Sequence, residues 1–193
     1  MLETLDQNLS LAINSLNSPI SDQIWIWFSN KLIWIPLYLL IIVLLIHKLG
    51  WKKGLISVLA IVLCILCVDQ FCNLIKNSVC RLRPCNDPKM VERGLHMLAA
   101  ASASHPYGFF SAHAANAMAF AVCSAKFLKR GGPVLSLWAV LVGLSRVFVG
   151  KHFLGDVLVG FIVGAVFALI FYALTQLLFK TRTPESGSAA GRV

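Results

Sequence analysis

The sequence predicts an all-α fold, a polytopic membrane helical bundle of about five transmembrane helices preceded by an N-terminal amphipathic helix in the membrane interface. Three observations carry that expectation. Hydrophobic residues make up 58% of the chain and charged residues only 13%, whereas soluble domains run near 45–50% and about 25%. Mean hydropathy is +0.78 over 193 residues, which excludes a water-soluble globule and leaves no length for a large extramembrane domain. The apolar residues also come in long runs. A crossing helix needs roughly 20 of them, so the chain holds at most about eight spans and, with working loops, five or six.

Each element follows from its own pattern. Leu2, Leu5, Leu9, Ile13 and Leu16 recur at gaps of three and four within residues 2–17, one stripe of an amphipathic helix, which places it on the membrane surface. A first span is expected over 32–46, with an earlier start at the 24–28 group, whose Trp25 and Trp27 suit a headgroup boundary. A basic turn at 47–53 leads to a second span over 54–75. The longest polar loop, 76–107, precedes a third span over 111–128, a fourth over 133–149 and a fifth over 153–179. Residues 1–180 then form one membrane-embedded domain with 1–30 as interfacial helix and lead-in, and 181–193, small and polar, read as a disordered tail.

The formal charge of +9 would point to nucleic acid in a soluble protein. Here Lys and Arg sit at the ends of apolar runs, where membrane orientation accounts for them, so no nucleic-acid partner is expected. Nine basic residues, including Lys48, Lys52, Lys53, Lys126, Lys129 and Arg130, fall on one side and eight on the other. Setting aside Lys76, Arg83 and Arg146, which have a chemical reading, the balance puts the long loop and the N-terminus outside the cytoplasm. Cys64, Cys67 and Cys123 lie in apolar segments and behave as small hydrophobes. Cys80 and Cys85 lie in the loop, where an oxidising compartment would allow a disulfide.

Alternating spans bring the end of the second, the start of the third, the end of the fourth and the start of the fifth to one membrane face. The unusual residues sit at those four places: Lys76 with Arg81 and Arg83, Ser111 and His113, Ser145 and Arg146, His152 and Asp156. Ionisable groups at that depth are functional-site candidates by default. Three converging cations, Lys76, Arg83 and Arg146, repel one another unless an anion neutralises them, and the guanidinium fork suits phosphate oxygens. Ser111 stands where a helix N-cap belongs, so the N–H groups of Ala112 and His113 would face an anion. Of two histidines, one can attack phosphorus and the other protonate the leaving oxygen, while a carboxylate four residues on fixes the tautomer of the first.

The series Lys76-x6-Arg83-Pro84, Ser111-x-His113 and Ser145-Arg146-x5-His152-x3-Asp156 resembles the three-part signature of the type 2 phosphatidic acid phosphatase family, the integral-membrane lipid phosphate phosphatases. The resemblance covers residues 54–179. It implies that His152 is the nucleophile forming a phosphohistidine, that Asp156 orients it, and that His113 is the acid for the leaving group. Lys76, Arg83, Ser111, Ala112 and Arg146 would hold the phosphate, with no metal or other cofactor. The middle part departs from the family's Pro-Ser-Gly-His, reading Phe110-Ser111-Ala112-His113; alanine is harmless there if it is helical and obstructive if a positive φ is needed.

The resemblance further implies a phosphatase of lipid phosphates or diphosphates at the periplasmic face of a bacterial inner membrane. Undecaprenyl diphosphate is the first expectation, and lipid A phosphate or phosphatidylglycerol phosphate the alternatives. A non-catalytic lipid-phosphate binder or flippase would use the same cationic pocket, and the soluble haloperoxidases share the signature without the spans. Orientation or snorkelling roles are expected for Arg81, Lys89, Arg93 and Lys151, and solvent exposure for His96 and His105. Asp69, Asn73 and Lys76 form one helical stripe that either lines a headgroup pocket or satisfies itself between helices. Gly160 and Gly164 read as helix packing.

Overall fold

The computed structural model describes residues 1–98 and 105–181; the expected tail beyond Thr181 lies outside them. The described residues are helical, with no strand longer than a single bridge between Leu82 and Tyr107. Helices α1 (Leu2–Asn14), α2 (Pro19–Ser29), α3 (Ile35–Val79), α4 (Pro88–Glu92), α5 (Ala112–Leu128), α6 (Gly132–Phe148) and α7 (Leu154–Thr181) follow in order.

Helix α3 is two spans. Gly50, at φ 76° and ψ 163°, breaks it, and the chain folds back so closely that a Cβ on Gly54 would lie 2.7 Å from the Ile46 backbone. The predicted basic turn is therefore one non-helical glycine flanked by helical lysines, because glycine alone enters that φ without strain. With α5, α6 and α7, the two arms of α3 make the five-membered bundle. Helix α5 is its centre, with Ala114, Ala115, Ala117, Ala119 and Ala121 all buried. Gly160 and Gly164 of α7 face it, and Cβ atoms there would meet the Ser111 and Ala115 carbonyls at 2.7 and 2.1 Å. The glycine pair does serve packing, letting two backbones touch. On the face away from the long loop, Lys48 donates to the Leu128 carbonyl at the end of α5.

The 24–28 group does not extend the first span. It belongs to a separate helix, α2, started by a capping box of Ser18 with Ser21 and by Pro19 at its first position. Trp25 of α2 stacks on Phe148 at 4.2 Å, which ties the lead-in to the end of α6.

Helix α1 docks by its polar face. Ser10 and Asn14 are buried at 3% and 1%, while Leu2, Leu5 and Leu9 stay exposed. Asn14 Nδ2 donates to the carbonyls of Val147 and Phe148 at 3.1 and 3.0 Å; Val147 O also accepts the Gly150 N–H, so Asn14 adds a second donor there at the end of α6. Ser10 Oγ accepts from Leu154 N at 2.8 Å and Asp6 Oδ1 from Gly155 N at 2.7 Å, so α1 also caps the start of α7. The apolar stripe is left to lipid, as an interfacial helix requires.

Candidate active site

The segment 149–153, between the end of α6 and the start of α7, carries His152, which is 3% exposed. Its Nδ1 stands 3.4 Å from Asp156 Oδ2. Asp156, fully buried in the first turn of α7, also accepts the Phe153 N–H on Oδ2 at 3.0 Å and Arg81 on Oδ1 at 2.8 Å. On the other side of the ring, Nε2 is 3.5 Å from an Arg83 guanidinium nitrogen.

Arg81 and Arg83 reach this place because residues 81–83 run antiparallel to 106–108. Arg83 N donates to Pro106 O at 3.0 Å and Gly108 N to Arg81 O at 2.8 Å. Alternation along an extended chain sends both arginines to one side, while Leu82 is exposed. Arg83 is anchored by Nε on the His105 carbonyl at 2.7 Å. Gly108 leaves the space for this, since a Cβ would come 2.9 Å from Arg83 Cγ and 3.5 Å from Asp156 Oδ2.

Arg146, in the last turn of α6, is 4% exposed. It donates to Ser29 Oγ of α2, and its Nε has no partner among the described residues. Lys76 ends α3 and is likewise buried. Burial, and after it the charges of Arg146, Arg83 and Lys76, hold the His152 imidazole well below the usual histidine range, so the ring is neutral near pH 7. Burial also lowers Arg83 from its ordinary value. Lys151 is lowered by burial together with Arg146 and Arg83. Four cations thus crowd one neutral imidazole, and the carboxylate beside it is already paired with Arg81.

Ser111 is fully buried as the N-cap of α5, with Oγ accepting from Ala114 N at 3.4 Å, and its own N–H donates to the Asp156 carbonyl at 3.0 Å. That bond ties the start of α5 to the start of α7. Ala112 is the first residue of α5 and is helical, so the alanine in place of the family's glycine meets no strain. His113, one residue on, lines a cavity of about 350 Å³ walled by Tyr38, Ile61, Ile65, Ala117 and Trp138 among others. The arms of α3 with α5 and α6 enclose this largely apolar space. All eight sequence-predicted residues therefore lie at one end of the bundle.

Several expectations are corrected. Arg81 does not snorkel: it bridges Asp156 and Asp6, at 2.8 and 2.7 Å. Arg93 donates to Asn8 Oδ1 at 2.6 Å. His96 is not left to solvent, since its Nε2 is 2.9 Å from Asp22 Oδ2. Asp69 accepts from Asn116 of α5 at 2.9 Å, a partner outside that stripe which also lines the cavity beside His113. Cys80 is a free thiol 3.1 Å from the Asn77 carbonyl, so the disulfide with Cys85 is not formed. Among the described residues no third His, Cys, Asp or Glu joins His152 and Asp156 in a metal-sized cluster. Ser29, Gly108 and Asp6 carried no signal in the sequence, while the Arg-x-Arg spacing of 81 and 83 was the one available clue to Arg81.

An excess of buried cations around a neutral imidazole is a balance that a phosphate dianion corrects, and in a helical membrane bundle it defines a membrane-embedded phosphatase. Comparison with known proteins makes the assignment specific. Residues 53–180 match the PAP2 superfamily, and the chain belongs to that family. A lipid A 4′-phosphatase from Bacteroides thetaiotaomicron is 34% identical over 98% of this chain and 87% of its own length. One from Porphyromonas gingivalis is 27% identical over 84% of this chain and 69% of its own.

Two crystal structures share the fold. A transmembrane PAP2 type phosphatidylglycerolphosphate phosphatase from Bacillus subtilis superposes with a TM-score of 0.70 at 21% identity, covering 95% of this chain and 89% of that one. Aquifex aeolicus LpxE gives 0.64 at 23% identity, covering 86% and 93%. The chain is a membrane phosphatase of lipid phosphates.

Proposed function

We propose that the protein removes a phosphate monoester from a lipid A-type glycolipid at the periplasmic face of a bacterial inner membrane. The observation that carries this reading is the 34% identity to a lipid A 4′-phosphatase across 98% of the chain, a match that takes in the interfacial helix as well as the catalytic spans. Undecaprenyl diphosphate, the first expectation from sequence, gives way to this alternative. Support also comes from the cavity beside His113, whose apolar walls suit an acyl chain attached to a phosphate held at His152. Residues 1–180 act as one unit in this reading.

The geometry supports a two-step mechanism. Asp156 faces Nδ1 and keeps its proton there, so the Nε2 lone pair attacks phosphorus. The bond from phosphorus to the lipid oxygen breaks, and His113 gives that oxygen a proton. Water, deprotonated by His113, then attacks the phosphohistidine and releases inorganic phosphate and a free His152. Arg83, Arg146, Lys76 and the Ser111 N-cap bind the phosphoryl oxygens, whose charge grows in the transition state. No metal is required by this scheme.

Phosphate release by purified protein in detergent with EDTA tests it, across lipid A, undecaprenyl diphosphate, phosphatidylglycerol phosphate and phosphatidic acid, beside His152→Ala. Turnover fastest on lipid A and lost in the variant is the expected result. A different preferred lipid overturns the substrate, turnover in His152→Ala overturns the mechanism, and binding without turnover returns the binder or flippase.

A further inference from the structure

We propose that Asp6 of the interfacial helix is a positioning residue for the His152–Asp156 pair, acting through Arg81; this rests on His152 being the nucleophile. One carboxylate holds Asp156 in two ways. Asp6 Oδ2 accepts from Arg81 at 2.7 Å while another nitrogen of the same guanidinium donates to Asp156 at 2.8 Å. Asp6 Oδ1 accepts the backbone N–H of Gly155, the residue before Asp156, at 2.7 Å. Arg81 lies 4.1 Å over the Phe153 ring, the residue after His152, so the fork is fixed from a third side. The sequence leaves room for this approach: a Cβ on Gly155 would come 2.8 Å from Asp6 Oδ2.

The charge count shows what Asp6 adds. Asp6, Arg81 and Asp156 together carry one net negative charge, which faces His152. When Nε2 bonds to phosphorus while Nδ1 keeps its proton, the ring becomes cationic, and that one negative charge compensates it. Remove the Asp6 charge and Arg81 neutralises Asp156 alone, so the cationic ring forms beside a neutral pair. The penalty falls on the chemical step, whereas the phosphate-binding cations are untouched. An interfacial helix with its leucines in lipid is thus wired to the reacting histidine through two ion pairs.

The test uses the full chain in detergent and the best-cleaved lipid phosphate of the panel above, with kcat, KM and thermal melting measured together. Asp6→Asn should lower kcat about tenfold with KM within about twofold, the pattern of a lost transition-state interaction. Asp6→Glu should recover most of the rate. In an Arg81→Gln background, Asp6→Asn should add less than about twofold, because a residue acting through Arg81 has nothing left to act through. Asn8→Ala removes the docking contact to Arg93 without touching this chain of charges and should leave kcat within about twofold. If Asp6→Asn does not fold, Asp6→Ser, which can still cap Gly155, carries the same expectations.

Wild-type kcat in Asp6→Asn, independent losses in the double variant, or an equal loss in Asn8→Ala would each overturn the proposal. An inactive His152→Ala beside a fully active Asp6→Asn overturns only this proposal. A residual rate in His152→Ala removes its foundation.

Discussion

Gly164→Ala places a methyl group where α5 and α7 share backbone. The new Cβ would lie 2.1 Å from the Ala115 carbonyl oxygen, and ordinary contact begins about 1.3 Å further out, so the two helices must separate by roughly that distance. Neither side of the contact is a flexible side chain. Helix α5 carries Ser111 and His113, and α7 carries Asp156, so the separation is imposed across the site. A misplacement of about 1 Å between reacting groups costs on the order of 10²-fold in rate, and overpacking a core costs about 1–3 kcal/mol in stability. Gly160→Ala is the graded partner, with its Cβ 2.7 Å from the Ser111 carbonyl; it should lose about tenfold for a shift of about 0.7 Å. Gly132→Ala is the control, because its Cβ would meet only Ala125 Cβ at 3.8 Å. Phosphate release in detergent read beside thermal melting gives all three. A Gly164→Ala protein with the rate and melting temperature of the wild type would refute the packing argument.

Other consequences are equally measurable. Because burial, and after it the charges of Arg146, Arg83 and Lys76, hold the His152 pKa down, Arg83→Gln should move the acid limb of kcat/KM part of the way up toward the ordinary histidine value of about 6.5; an unmoved limb removes Arg83 from that role. The same depression has a sign for stability: below about pH 6.5 the unfolded chain takes up a proton that folded His152 does not, so melting temperature should fall on acidification. Asn14→Ala removes the donor to the Phe148 and His96 carbonyls and one of the two donors to Val147 O and should cost about 2–3 kcal/mol in an unfolding experiment. Ala117→Phe fills the cavity beside His113; KM should rise about tenfold for a long-chain substrate and stay level for a short-chain phosphate, since only the former needs that apolar volume.

What the sequence made legible was local or repeated at short period. Apolar runs located the five spans, and the pairs His152 with Asp156 and Ser111 with His113 were readable because residues two to four apart at the start of a helix stay at the same end of it in any fold. The break at Gly50 was placed within a wider basic turn, since charge marks a membrane boundary more broadly than backbone conformation does. Arg81 was misread because its partners are 75 residues away on either side. Asp6 was invisible for the same reason, its bond to Gly155 spanning 149 positions. Separating α2 from the first span depended on the Ser18 capping box, which a hydropathy reading passes over in favour of the tryptophans that follow.

Helix α1 shows why an amphipathic pattern needs its solvent named before it is interpreted. In a water-soluble protein its leucine stripe would face the core and Asp6, Ser10 and Asn14 would face water. Here the catalytic end of the bundle is the polar surface and lipid is the apolar solvent, so the moment points outward. The consequence is energetic as well as geometric. The last carbonyls of α6 and the first N–H groups of α7 flank the His152 segment, which is buried, and unpaired backbone groups there are expensive. Asn14, Ser10 and Asp6 satisfy them. The segment that carries His152 is therefore held at both ends by one helix, and anything that lifts that helix away loosens both ends together.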